Sequence, residues 1–272
     1  MSRIEKKFAE LRSRGKTGVS PYLTAGFPKL DSTLEIAEAI VEAGADMIEL
    51  GIPFSDPLAD GATIQRTNQA ALQNGVTPGK CLAICGQLRK RLPETPLILM
   101  GYYNPILAMG LEEFAARAAA AGADGVIVPD LPPDEAAPLL QVMRPKGLDV
   151  IFLIAPTSTE HRIIEVAKAT SGFIYCVSLT GVTGARSDLA AGLPEFLQRV
   201  RKHTRLPLAV GFGISTSEHV RTVGQHAEAV IVGAALMQAI EAGGATGAAQ
   251  AAREFITSLA RGAQPLAGRR QP

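Results

Sequence analysis

This 272-residue sequence predicts an α/β protein, and within that class a (β/α)8 barrel. Three observations carry the prediction. Short apolar runs alternate with amphipathic stretches from end to end, and several runs are apolar at every position, the pattern of parallel strands covered on both faces. Eight strand–helix units can be counted, and α/β barrels of this length are commonly undivided. Finally, EAGADMIEL (42–50) and AAGADGVIV (120–128) share the order helix end, Gly turn, Asp, buried strand, and QHAEAVIVG (225–233) is a weaker third copy. That order is the joint of a βα repeat, so residues 1–272 are expected to form one barrel domain.

The elements follow in chain order. A polar-faced helix over 3–14 precedes the first strand, 19–24. STLEIAEAIVEAG (32–44) is a helix that ends on Gly and leads into the second strand, 47–51. The spacing to the third strand, 97–102, is the largest in the chain and holds two helical patterns, 63–74 and 78–91. The barrel is therefore expected to carry extra helices at its N-terminus and after its second strand. LEEFAARAAAAG (111–122) leads into strand four, 125–128. Strand five is 150–155, followed by STEHRIIEVAKA (158–169). Strand six is 173–178, followed by LPEFLQRVRKHT (193–204). Strands seven and eight are 208–211 and 229–233, and the tail from about 262 is expected to fray.

Composition removes several function classes. Lys plus Arg total 27 against 26 acids, a balance of +1 that points to neither nucleic acid nor an anionic membrane as partner. The apolar runs fall well short of the roughly 20 residues that span a bilayer. No apolar core follows Ser2-Arg3-Ile4-Glu5-Lys6-Lys7, so no cleaved signal is expected. Cys81, Cys85 and Cys176 lack metal-type spacing and fit a reducing cytoplasm.

The chemistry concentrates in IELGIPFSDPLADG, residues 48–61. Side chains alternate along a strand, so Glu49 shares a face with Met47 while Ile48 and Leu50 face the other way. With both faces covered, Glu49 is an acid placed where acids rarely sit unless paired or working. Active sites of such barrels lie at the C-terminal strand ends. Glu49 is near the end of strand two, and Asp56 and Asp60 fall in the loop after it. Tyr22, Tyr102 and Tyr175 sit near strand ends with a parity that directs them to the mouth. Met100, Ile127, Leu153 and Phe212 supply apolar walls. Together they describe a pocket for a flat, largely apolar molecule with a few polar handles.

The late loops SLTGVTGAR, GFGIST and VGAAL each place Gly beside a helix start, where free backbone N–H groups bind phosphate. No lysine falls at a strand end, against a Schiff-base aldolase. The four histidines lie on helices or outer connections, against a His-rich metal centre, and no metal is expected. Acid–base work by carboxylates on a phosphorylated substrate remains. Structural readings stand beside the functional ones. Asp56 either shapes the Ser55-Asp56-Pro57 turn or supports the site, and Asp60 before Gly61 reads equally as a turn residue. Asp130 in VPDLPP either caps the next helix or serves the site. Each tyrosine also reads as core.

IELGIPFSDPLADGATIQ (48–65) closely resembles the signature of the tryptophan synthase alpha-subunit family. The likeness continues, in order, through PYLTAGFP (21–28), MGYYNPI (100–106), VPDLP (128–132), SLTGVTGAR (178–186) and VGFGIS (210–215). The resemblance implies retro-aldol cleavage of indole-3-glycerol phosphate to indole and glyceraldehyde 3-phosphate in a cytoplasmic enzyme. It implies no cofactor in this chain, and a pyridoxal-phosphate-bearing beta subunit as partner in an alpha2-beta2 heterotetramer. By the same resemblance Glu49 is the acid–base group, and Asp60 accepts the indole N–H. Tyr175 orients Glu49 or the glycerol chain. Thr183 lies on a lid loop that contacts Asp60. Gly184, Gly213, Gly233 and Ala234 hold the phosphate. The family commonly has Gly-Ser where this chain has Gly233-Ala234, and often other apolar residues at Tyr22 and Met100. Partner contact is expected around 53–60 and MGYYNPI. A stand-alone lyase, a silent binding barrel and another phosphate-binding barrel enzyme are the rival readings.

Overall fold

A computed structural model describes residues 1–178, 192–211 and 213–264 of the chain. Its strands are β1 (Gly18–Thr24), β2 (Ile48–Gly51), β3 (Leu97–Met100), β4 (Gly125–Ile127), β5 (Asp149–Ile151), β6 (Leu153–Ile154), β7 (Ile174–Val177), β8 (Leu208–Gly211) and β9 (Ala229–Val232). They pair in parallel in the order β5-β4-β3-β2-β1-β9-β8-β7-β6. Only Phe152 separates β5 from β6, so the two ends of this order meet in one segment of chain. The predicted fifth strand is that segment: its first half pairs with β4 and its second with β7, which brings the sheet round into a barrel.

Helices surround it: α1 (Arg3–Ser13), α2 (Ser32–Glu42), α3 (Ala62–Gln73), α4 (Pro78–Arg91), α5 (Tyr103–Met109), α6 (Leu111–Ala120), α7 (Ala137–Met143), α8 (Glu160–Ala169), α9 (Leu193–Arg201), α10 (Ser217–Gly224) and α11 (Ala234–Ala260), the last kinked at Gly244. Both expected additions are present, α1 and the α3–α4 pair. The short α5 was not foreseen. Seven residues with a proline inside the first turn give too little periodicity to see, and its N-terminus is completed from outside. Asp130 accepts the Tyr103 N–H at 3.0 Å, so it caps α5 rather than the helix that follows it. Ala263 is fully buried and its carbonyl accepts the Thr17 N–H at 3.2 Å.

Strand alternation sorts the core into two shells. Ile48, Leu50, Val126, Val210 and Val230 face outward and pack beneath the helices. Met47, Ile98, Ile127, Ile151, Ala209 and Ile231 fill the interior, joined by Ile4, Phe8 and Leu11 of α1. These three recur at helical spacing, and the Ser2–Glu5 capping box starts the helix beside them. The Phe8 ring lies 5.6 Å from that of Phe173, so α1 plugs the N-terminal end of the barrel. Burying each such side chain stabilises the fold by roughly 1.5–3 kcal/mol. The opposite, C-terminal end is left open for chemistry.

The plugged end also explains the internal repeat. Asp46 accepts the Val19 N–H at 2.9 Å and pairs with Lys16 at 3.0 Å. Asp124 accepts the Leu97 N–H at 2.8 Å and pairs with Arg89 at 2.6 Å and Arg3 at 3.0 Å. Glu228 accepts the Leu208 N–H at 2.8 Å and pairs with Arg201 at 2.7 Å. These are the acids of the three repeated segments. A fourth joint has Ser171, whose hydroxyl oxygen accepts the Val150 N–H at 3.1 Å. In all four, the same residue returns its own N–H to the carbonyl it faces, at 2.8, 2.8, 3.0 and 3.0 Å. Each latch fastens the start of one strand to the turn before its neighbour, at four places round the barrel.

Candidate active site

At the open end, register brings the candidate residues together. Tyr22 of β1 stands opposite Glu49 of β2, and Met100 opposite Ile127, while Leu153 pairs with Tyr175. Ile127 and Tyr175 belong to the interior shell, with Met100 and Leu153 packed against it. Two glycines seat the phenols. A Cβ on Gly51 would lie 2.1 Å from the Tyr22 hydroxyl, and one on Gly211 would lie 2.2 Å from the Tyr175 hydroxyl. Only a residue without a side chain leaves room for these rings to cross their neighbouring strands.

Glu49 has 0% exposure. Its Oε1 accepts the Ser20 hydroxyl at 3.3 Å, and Oε2 is buried with no partner among the described residues. Burial, with no cation among the described residues to offset it, pushes the carboxyl up to about 8, and the Ser20 bond only partly opposes this. Glu49 is therefore largely protonated at neutral pH, and it can give a proton away.

Asp60 sits in the loop between β2 and α3, partly buried. Burial raises it to about 6, opposed by hydrogen bonding from Tyr102 and Asn68. The Asn68 Nδ2 lies 3.4 Å from Asp60 Oδ2. The Tyr102 hydroxyl also accepts the Ala59 N–H at 2.9 Å, fastening the loop beside Asp60 to the end of β3. At neutral pH Asp60 is mostly ionised. One mouth thus holds a proton donor and a carboxylate with apolar walls between, an arrangement suited to protonating an aromatic ring and countering the charge that develops on it.

The remaining candidates divide. Gly233 is the N-cap of α11 and Ala234 its first residue, so the free N–H groups of that helix start face the end of β9. Gly213 has φ +80°, a left-handed conformation that favours glycine. Thr183, Gly184 and Phe212 lie outside the described residues. Asp56 is exposed, takes the Ser55 hydroxyl and lines an outer groove with Phe54, Leu58, Tyr102, Asn104 and Asp130. Leu58 there is 88% exposed. Sequence reasoning did not single out Ser20 or Asn68. The signal for Ser20 was a hydroxyl residue at the same parity as Tyr22. For Asn68 it was a place on the buried stripe Thr63, Ile64, Thr67, Asn68 and Ala71 of α3.

The family profile described as tryptophan synthase alpha chain matches residues 8–265. The tryptophan synthase alpha chain of Roseiflexus castenholzii is 57% identical over 241 residues, covering 89% of this chain and 92% of that one. That of Chloroflexus aurantiacus is 51% identical over 265 residues, covering 96% and 100%. Among solved structures, a chain of Mycobacterium tuberculosis tryptophan synthase superposes with a TM-score of 0.89 at 37% identity, covering 98% of this chain and 99% of that one. Tryptophan synthase subunit alpha from Legionella pneumophila superposes with 0.87 at 40% identity, covering 96% and 98%.

Proposed function

The chain belongs to the tryptophan synthase alpha chain family, and on that premise we propose that Glu49 and Asp60 carry out the family's reaction in it. That reaction is the cleavage of indole-3-glycerol phosphate to indole and glyceraldehyde 3-phosphate, with indole passed to the beta subunit for tryptophan synthesis. The pyridoxal phosphate of the family is carried by the beta subunit.

The burial of Glu49 with no cation beside it among the described residues is the observation that supports the assignment most strongly. Protonated Glu49 gives its proton to indole C3, which makes the ring cationic. Asp60 accepts the ring N–H and offsets the positive charge, an interaction stronger on the way to cleavage than before it. The Glu49 carboxylate then takes the proton from the hydroxyl on the glycerol carbon bonded to the ring. The oxygen electrons form the aldehyde carbonyl, the carbon–carbon bond breaks, and its electron pair restores the aromatic ring. Glu49 ends protonated, as it began. Tyr22, Met100, Tyr102, Ile127, Leu153, Tyr175 and Phe212 enclose the indole and glycerol parts. Backbone N–H groups at Gly184, Gly213, Gly233 and Ala234 hold the phosphate, and Ala234 contributes no hydroxyl to it. Thr183 closes over the substrate towards Asp60.

The groove around Phe54, exposed Leu58, Tyr102 and Asn104 is the face assigned to the beta subunit, in an alpha2-beta2 heterotetramer. Because Tyr102 both lines that groove and fastens the Asp60 loop, docking there orders Asp60 and raises the competent population. The same reading takes residues 1–272 as one domain of a cytoplasmic enzyme; no helix among the described residues is long and apolar enough to cross a membrane.

Indole release from indole-3-glycerol phosphate, measured on the purified chain with and without a beta subunit, tests this. Slow release alone and a large increase with partner are expected. Equal rates in both tubes sink the coupling, and release by a Glu49→Gln variant at the wild-type rate sinks the residue assignment.

A further inference from the structure

Ser20 has 0% exposure, at an inward-facing position of β1. A hydroxyl there loses its water and is costly unless something inside the barrel bonds to it. The bond it makes is to Glu49, with Oγ 3.3 Å from Oε1. The two strands are parallel with Tyr22 opposite Glu49, and Ser20 lies two residues earlier on the same face as Tyr22. The carboxyl group therefore leans toward the plugged end, where the serine hydroxyl meets one oxygen. The other, Oε2, is buried and without a partner among the described residues.

We propose that Ser20 is a positioning residue for Glu49, fixing Oε1 and so making Oε2 the oxygen that exchanges protons with the substrate. This rests on the reading of Glu49 as the acid–base group. A serine O–H donates to the carbonyl-like oxygen of a protonated carboxyl, so the acid proton resides on the other oxygen. The donor thereby selects which oxygen is loaded, and among the described residues the bare oxygen has no competing partner for its proton. After the proton has left, the same bond steadies the carboxylate, which is why Ser20 opposes the upward shift caused by burial.

The test compares wild type, Ser20→Ala and Glu49→Gln in indole release with the beta subunit present, recording kcat and KM across pH. Replacing Ser20 by alanine removes one oxygen and adds nothing to the packed interior. Its kcat is expected to fall about 2- to 12-fold with KM held within about twofold, the range one hydrogen bond supplies. Its alkaline limb is expected at higher pH, because the group that lowers the Glu49 pKa is gone. Wild-type kcat with an unmoved limb overturns the proposal while a silent Glu49→Gln leaves Glu49 in place. Lower kcat with an unmoved limb marks a packing effect and also overturns it. Full activity in Glu49→Gln removes the reading on which the proposal stands.

Discussion

The two ends of the barrel use the same kind of side chain for opposite purposes. At the plugged end Asp46, Asp124 and Glu228 each meet a cation and the first N–H groups of a strand. At the open end Glu49 meets one serine hydroxyl, and Asp60 meets a phenol and an amide, with no cation at either among the described residues. A carboxylate surrounded by positive partners stays charged and serves as a strut. Glu49, stripped of water without them, holds its proton near neutral pH and is the proposed reagent. Partners, rather than burial alone, separate the roles: Asp124 is 5% exposed and Glu49 0%.

Breaking each end should therefore fail in a different way. The largest effect is expected at the mouth: Glu49→Gln lowers kcat for indole release by roughly 10²- to 10⁴-fold, the usual weight of a positioned acid–base group. At the other end Asp124→Ala leaves Arg89 and Arg3 facing an empty site and the Leu97 N–H without its acceptor. It is expected to lose about 3–5 kcal/mol in denaturant unfolding, while the folded fraction keeps its kcat. A collapse of kcat in the folded Asp124→Ala protein would erase the distinction.

The pH profile sharpens it. On the proposed mechanism Asp60 must be ionised to accept the ring N–H, so activity is expected to fall as pH drops through about 6. On the same mechanism Glu49 must start protonated, so activity is expected to fall as pH rises through about 8. A bell centred between them is expected in kcat/KM, and Asp60→Asn should remove the acidic limb from whatever activity remains. The smallest effect belongs to the fourth latch. Ser171→Ala removes the acceptor for the Val150 N–H together with the hydroxyl that bonds to Asp149, and about 1–2 kcal/mol of stability should go with them, at unchanged activity. No loss on calorimetry would mean that this joint is not fastened by its side chain.

Much of this was legible in the sequence, for stated physical reasons. Apolar runs and helical spacing are local, so the barrel, the plug helix α1 and the α3–α4 pair could be read directly. Glu49 was visible because an acid interrupted a covered strand. The repeated acids were visible as a pattern, but not their work, because Lys16, Arg89 and Arg201 come from other parts of the chain. Ser171 was invisible because it is no acid and so falls outside the repeated pattern. Asp130 reads naturally as a cap for the helix ahead of it, and only the fold turns it toward Tyr103. The split at Phe152 likewise follows from closure, which no local pattern encodes.

The contrast between ends also fixes a sign in the thermodynamics. Glu49 binds its proton more tightly folded, near 8, than in the unfolded chain, near 4.5. Its burial is therefore free of charge cost below the unfolded value, and the cost grows as pH rises from there to about 8, then levels off. The most direct measurement is the difference in unfolding free energy between Glu49→Gln and wild type as a function of pH. The expected result is a difference that moves in favour of Glu49→Gln by up to about 5 kcal/mol between the two values and is flat beyond them. A difference that does not vary with pH, or that turns against Glu49→Gln as pH rises, would mean that Glu49 is a paired strut like Asp124 and not a stored acid.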